Sequence, residues 1–419
     1  MQRATDLSIT GKKCLNNGGA TAKPINRAEA PRNRGAFLLV IFGQNYRMRF
    51  FPIRFFVVTL FIFVFRVAGA QSLDSIVPVR GFCIDIPKPS GVDSFVRFIR
   101  EELAPRKVNT LFVLVDYRYQ FRSHPELADS LALSNADVKK IVRVCQENHI
   151  RVIPQINMLG HQGWEEHPGK LLRAYPQFDE TPWVKNPEHY VWPNADNLYC
   201  RSYCPLYPGI HEVLFAVIDE LCDAFESTAF HAGMDEVFYV GESKCPRCGG
   251  RDPAVLFAGE VQALHDHLAA KGRELWIWGD RLIDGKTTGI GMWEASYNNT
   301  FRAVDLIPKD VVICDWHYER PDQTAVYFAM KGFRVVTCPW RASKPGVAQV
   351  DDMVKFRNAS TPEMRPRFLG IVETTWSPAQ VFLNGFYGVG VRREGQGQER
   401  GSAWQCFRDV FLRIDSLGN

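Results

Sequence analysis

Residues 228–237 read Thr-Ala-Phe-His-Ala-Gly-Met-Asp-Glu-Val: an uncharged run that closes on a glycine and then on two adjacent carboxylates, Asp235 and Glu236. A short apolar run with such an end fits, over 228–234, a buried strand of a parallel sheet, covered on both faces. Seven more runs of this kind follow or precede it, at 79–85, 110–116, 151–157, 274–279, 311–316, 333–338 and 368–375. Amphipathic stretches separate them, at 93–104, 137–148, 208–226, 254–271, 321–331 and 346–358, with a last one at 403–417. Ser134 followed by Asp137 reads as the capping box of the second. Eight strands is the number that closes a (β/α)8 TIM barrel, an α/β fold of ~250 residues plus insertions. A doubly wound sheet is the alternative, but no glycine-rich phosphate loop follows the first strand.

A barrel of this kind carries its active site at the C-terminal ends of its strands. Read in order, those ends supply Asp85, Asp116, Asn157 with His161, Asp235 with Glu236, Trp278 with Asp280, Trp316 with His317, Trp340 and Trp376. Indole faces stack on pyranose rings and carboxylates bind hydroxyls, so this rim points to carbohydrate, although each tryptophan taken singly fits barrel-to-helix packing equally well. Neighbours on a strand face opposite ways, so the fourth strand must end near Met234 for both Asp235 and Glu236 to reach the rim.

The run Phe230-His231-Ala232-Gly233-Met234-Asp235-Glu236 resembles the fourth-strand signature of glycoside hydrolase family 20, the β-N-acetylhexosaminidases, whose pattern is His-x-Gly-x-Asp-Glu. Arg80-Gly81 with Asp85, Asp116, Pro154 and Gly160-His161 align with further family positions, and the similarity spans most of 79–380. The resemblance implies an exo-acting hydrolase of terminal β-linked N-acetylglucosamine or N-acetylgalactosamine, retaining and substrate-assisted, in which the substrate's acetamido oxygen forms an oxazolinium. It implies Glu236 as acid and then base, Asp235 as partner of the acetamido N–H, and Arg80 as the grip on distal hydroxyls. Asp116 and His161 would sit behind the acid, His231 within the signature, and Trp278, Trp316, Trp340 and Trp376 around the sugar. No cofactor and no catalytic metal are called for; the expected partner is an N-acetylhexosamine-containing glycan or oligosaccharide.

Three departures stand out. Gln155 and Asn157 replace acids usual on the third strand; the seventh ends Cys338-Pro339-Trp340 without the tyrosine that binds the acetamido oxygen, a role left to Tyr318 or Tyr239; and Ser377-Pro378 follows Trp376 where many members carry a glutamate. The family's additional N-terminal domain has no counterpart, which indicates a divergent single-domain branch. These departures keep two rivals open: a catalytically silent carbohydrate-binding barrel, and a glycosidase for sugars without an acetamido group. The intact Asp235-Glu236 pair argues against the first.

The chain has 419 residues, 46% apolar, with a formal charge of +4. Residues 1–70 hold eleven of the bases against Asp6 and Glu29, leaving 39 bases and 44 acids elsewhere, so a nucleic-acid partner loses its support. Arg49 and Arg54, the apolar run 55–65 and Ala68-Gly69-Ala70 give residues 48–70 the layout of a cleaved signal peptide, hence a periplasmic or secreted protein without a stable membrane span. Residues 1–47 read as a gene-model extension or leader, and 77–419 as the barrel domain. Cys200, Cys204, Cys245 and Cys248 fall near one rim, at spacings that suit a structural Zn²⁺, disulfides or free thiols. Oligomeric state has no signature.

Overall fold

The computed structural model describes residues 72–419 apart from 165, 195–197, 390–400 and 419, so both leader readings, 1–47 and 48–70, lie outside the described residues. Eight parallel strands close a barrel: β1 (Val79–Asp85), β2 (Thr110–Leu114), β3 (Arg151–Met158), β4 (Ala229–Gly233), β5 (Glu274–Trp278), β6 (Val312–Asp315), β7 (Arg334–Thr337) and β8 (Phe368–Thr374). Each pairs with its neighbour in sequence, and β8 returns to β1 with Arg80 opposite Ile371. Every strand expected from the sequence is present, with ends within two residues.

The strands read as unbroken apolar runs because both faces are covered: all of β2 and all of β4 are buried. Alternation still sorts the side chains into two layers. Phe82 points outward against Phe382 and Phe407 of the surrounding helices, with ring centroids 5.1 and 4.8 Å away, whereas Cys83, Phe112, Trp276 and Trp278 fill the barrel interior. The first expected helix is Val92–Phe98 continued by one wide turn, Ile99–Leu103, which keeps Phe95, Phe98, Ile99 and Leu103 on the buried side. The Ser134–Asp137 capping box is formed.

Several short helices escaped the pattern, and the longest of them has nine residues. Ala379–Tyr387 follows Pro378 and contains Gly385, a residue that reads as a breaker. Its absence of a side chain is a packing requirement, because a Cβ there would lie 2.6 Å from Cδ1 of Trp404.

Arg80 corrects the sequence reading. It lies at the start of β1, the end of the barrel opposite the strand C-termini, and is buried. Its guanidinium donates to the carbonyls of Val77 and Lys107 and pairs with Asp74 at 2.9 Å, fastening the floor of the barrel. It cannot reach a ligand at the other end.

Candidate active site

β4 ends at Gly233, and there the backbone leaves the extended region: φ is +65° at Gly233, +71° at Met234 and +47° at Glu236. The left-handed turn breaks the strand alternation and lets Asp235 and Glu236 line one cavity of about 730 Å³ at the C-terminal face. Gly233 is obligatory at this bend, since a Cβ would fall 2.2 Å from Oδ1 of Asn157 on β3. Asp116 and His161, at the ends of β2 and β3, also carry positive φ. Strained backbone costs of order 1–3 kcal/mol per residue and persists where neighbouring structure imposes it, as at a site that fixes side-chain direction.

His161 is the hub of the acids. Its Nε2 lies 3.2 Å from Oδ2 of Asp235 and 3.4 Å from Oε2 of Glu236. Gly160 permits the approach, because a Cβ there would be 2.8 Å from the Asp235 carbonyl. Burial alone would lower the imidazole pKa, but Asp235, Glu236 and Asp116 outweigh it and lift it to about 9. The imidazolium in turn holds Asp235 below the ordinary carboxylate value against its own burial. Asp235 keeps its second oxygen, Oδ1, buried without a hydrogen-bond partner. Glu236 behaves oppositely: burial, with Asp235 and Asp280 nearby, raises its carboxyl to about 7. Two adjacent carboxylates are thereby driven apart in proton affinity, the pattern that separates an ionised group from a proton donor.

Asp280, without an assigned role in the sequence, positions both walls of this arrangement. Its Oδ2 accepts from the Glu236 N–H at 3.0 Å and from Nε of Arg281 at 2.6 Å, while Oδ1 accepts from the indole N–H of Trp316. Arg281, fully buried, reaches on to the carbonyls of Met292, Trp293 and Ala295 and so fixes the loop that brings Trp293 and Glu294 to the cavity. Behind Glu294, His317 donates at 2.6 Å; burial opposes its charge, but Asp315 and Glu294 lift it to about 10.

Of the expected aromatic residues, Trp316, Trp340 and Trp376 line the cavity. Trp278 does not: it is buried one layer below, 5.5 Å from the Trp376 ring, and supports that wall. His231 is also beneath the floor, between Phe112 and Trp278; its Nδ1 accepts from the Gly233 N–H, and burial lowers it to about 3, so it is a neutral clamp on the end of β4. Tyr199 and Trp293 were missed, because both come from long loops that carry no strand-end signal. Tyr318 lines the cavity, stacked on Trp316 and accepting from the Trp376 indole at 2.7 Å, whereas the Tyr239 hydroxyl is used by the Tyr199 backbone N–H. Arg341 lines the cavity, paired with Glu319 at 2.6 Å and stacked 4.3 Å from Trp340.

The amides on β3 are accounted for as well. Gln155 is fully buried and donates weakly to Asn157 Oδ1, and the Asn157 N–H donates to Asp116 at 3.3 Å. The four rim cysteines divide. Cys204, Cys245 and Cys248 cluster with Glu180, whereas Cys200 points its thiol at the Glu236 carbonyl, 3.7 Å away, which corrects the expected set of four. All the cysteines among the described residues are unbridged.

A (β/α)8 barrel with paired carboxylates of opposed proton affinity in an aromatic cavity defines the class. The chain matches the family model described as "Glycosyl hydrolase family 20, catalytic domain" over residues 78–344, more than half its length, and it belongs to that family. It is 34% identical to a β-hexosaminidase of Akkermansia muciniphila over 112 residues, which cover 27% of this chain and 21% of that one. It is 26% identical to a β-hexosaminidase of Emericella nidulans over 265 residues, 57% of this chain and 40% of that one. The chain therefore spans less than half the length of these curated relatives. The barrel also superimposes on the chitobiase of Flavobacterium johnsoniae with a TM-score of 0.52 at 19% identity, covering 81% of this chain and 52% of that one.

Proposed function

We propose that the protein is an exo-acting β-N-acetylhexosaminidase that releases terminal β-linked N-acetylglucosamine or N-acetylgalactosamine with retention, using the substrate's own acetamido group. The observation that carries the reading is the divergence within the Asp235–Glu236 pair: a carboxyl raised to about 7 beside a carboxylate held ionised by an imidazolium. In this reading Glu236 protonates the leaving oxygen while the acetamido oxygen attacks the anomeric carbon. Asp235 Oδ1, the buried acceptor without a partner, takes the acetamido N–H and balances the charge growing on the oxazolinium. Glu236, now ionised, removes a proton from water as it opens the ring. The nucleophile is intramolecular, so orientation supplies much of the rate. Tyr318 takes the role of the absent seventh-strand tyrosine: with its oxygen already accepting from Trp376, its own proton is directed elsewhere, toward an acetamido oxygen.

Arg341 and Glu319 serve the distal hydroxyls in place of Arg80, a task that suits a guanidinium stacked on an indole. Truncating Arg341 to Ala is expected to raise KM about tenfold and leave kcat within a factor of about three, since the grip is made equally in ground and transition states. A fall confined to kcat would remove this role. Export follows from the signal-like layout of residues 48–70 and places the substrate glycans outside the cytoplasm.

The test of the whole reading is hydrolysis of a chromogenic β-N-acetylglucosaminide, with the anomeric configuration of the first-formed sugar followed by NMR, and inhibition by a thiazoline analogue of the oxazolinium. A β-product and tight thiazoline binding are expected. Sugar binding without turnover of any N-acetylhexosaminide would favour the silent barrel, and rapid cleavage of plain glucosides with an inert thiazoline would favour the glycosidase that needs no acetamido group.

A further inference from the structure

We infer that Glu180, Cys204, Cys245 and Cys248 form a structural zinc site that clamps the rim of the barrel. One donor atom from each residue lies within 4.8 Å of every other, and all four residues are buried. The sulfurs of Cys204 and Cys245 are 3.6 Å apart, and Cys248 Sγ lies 2.8 and 3.0 Å from the two Glu180 oxygens. A tetrahedron with Zn–S legs of ~2.3 Å has edges of about 3.8 Å, so the first spacing is that of two thiolates on one ion. A disulfide requires about 2.05 Å.

The surroundings are built for the same end. Cys245 and Cys248 occupy a tight turn in which Cys245 N–H donates to Glu242 O and Gly249 N–H to Cys245 O. Gly249 has no room for a side chain, since a Cβ would be 2.5 Å from the Cys245 carbonyl. Glu180 Oε1 accepts from the Glu242 N–H at 3.0 Å, the kind of outer hydrogen bond that orients a ligating carboxylate. Glu180 has no ion-pair partner among the described residues, and the guanidinium of Arg201 is taken by the neighbouring Asp179 at 2.7 Å. A fully buried carboxylate among three thiols without a cation is costly, and a divalent ion removes that cost. Three soft sulfurs and one oxygen, with no donor left exposed, select zinc in a closed structural site over magnesium or calcium.

The position gives the site its purpose. It joins the segment at 176–180, the loop that carries Tyr199 and Cys204, and the loop that leaves Glu236. Cys200, on the second of these, touches the Glu236 carbonyl from outside the site. The ion therefore ties down the chain on both sides of the acid.

Elemental analysis of the purified full chain tests this. Near one zinc per chain is expected, retained in Cys200→Ser and lost in Cys248→Ser. Because Cys248→Ser can fail to fold, the wild-type protein supplies a second readout. Exchange with Co²⁺ is expected to give the visible bands of a tetrahedral thiolate site, and Cys204, Cys245 and Cys248 are expected to react with an alkylating agent only after a chelator is added. A metal-free protein that takes up no Co²⁺, whether those thiols are freely alkylated or Cys204 and Cys245 are joined as a disulfide two hydrogens lighter, would overturn the assignment. None of these readouts depends on hydrolysis, so the zinc site and the proposed activity stand or fall separately.

Discussion

Glu236→Gln lowers kcat/KM toward N-acetylglucosaminides by about 10²–10⁴-fold, the usual worth of a general acid. The loss should depend on the leaving group. An aryl glycoside departs as a stabilised phenolate and needs little protonation, so it falls near the lower end; a chitobioside, whose leaving group is a sugar alkoxide, falls near the upper. The pH profile checks the assignment independently. Glu236 must carry its proton to act, and burial with Asp235 beside it holds that proton up to about pH 7. Wild-type kcat/KM should accordingly be level below 7 and drop about tenfold per unit above it. That alkaline limb should vanish in Glu236→Gln, which has no proton to lose. His161, lifted to about 9, stays charged through this range and does not produce the limb. If the limb at 7 persists in the Gln variant with undiminished rate, the proton comes from another group.

The barrel was legible because eight apolar runs recur with helical stretches between most of them, and the spacing of such runs survives errors of one or two residues at each end. The acid pair was legible for a further reason: the argument that β4 must stop near Met234 is met by Gly233 as its last residue and by the left-handed turn that follows. What was not legible depends on the far ends of side chains and on loops. Arg80 is a different case: as the second residue of the run 79–85 it already stood at the end away from the site, the family resemblance outweighed that signal, and the fold shows its guanidinium meeting Asp74 and two carbonyls. Trp278 and Trp376 both end strands, yet one supports the other from below, a difference of a single layer that periodicity does not encode. Tyr199, Trp293 and Arg341 arrive from connections without regular patterning. Glu180 lies 24 residues before Cys204, so no local spacing marks it as a companion of the cysteines.

Asp235→Asn is the sharper test of mechanism, because it changes one charge and almost no volume. In the proposed route the nitrogen of the acetamido group becomes positive as the oxazolinium closes, and the only atoms of Asp235 that matter are its ionised oxygens. Oδ2 is held by the imidazolium of His161, and the buried Oδ1 remains as an acceptor. Replacement by an amide removes the charge and gives one oxygen site a donor, which faces the acetamido N–H donor to donor. The cost expected is about 10²–10³-fold in kcat on N-acetylglucosaminides, the range seen when one preorganised electrostatic partner is lost, or roughly 3–4 kcal/mol of transition-state stabilisation. Since the thiazoline acquires the charge and N–H of the oxazolinium when its ring nitrogen is protonated beside Asp235, its affinity should weaken by a similar factor, whereas binding of the neutral product sugar should change much less. Residual cleavage of a plain glucoside, which offers no acetamido nitrogen, should be nearly unaffected. Equal losses on both substrate classes, with thiazoline affinity unchanged, would show that Asp235 acts only by holding His161 and Glu236 in place. The paired measurement therefore separates a carboxylate that touches the reacting group from one that merely sets the charge of its neighbours.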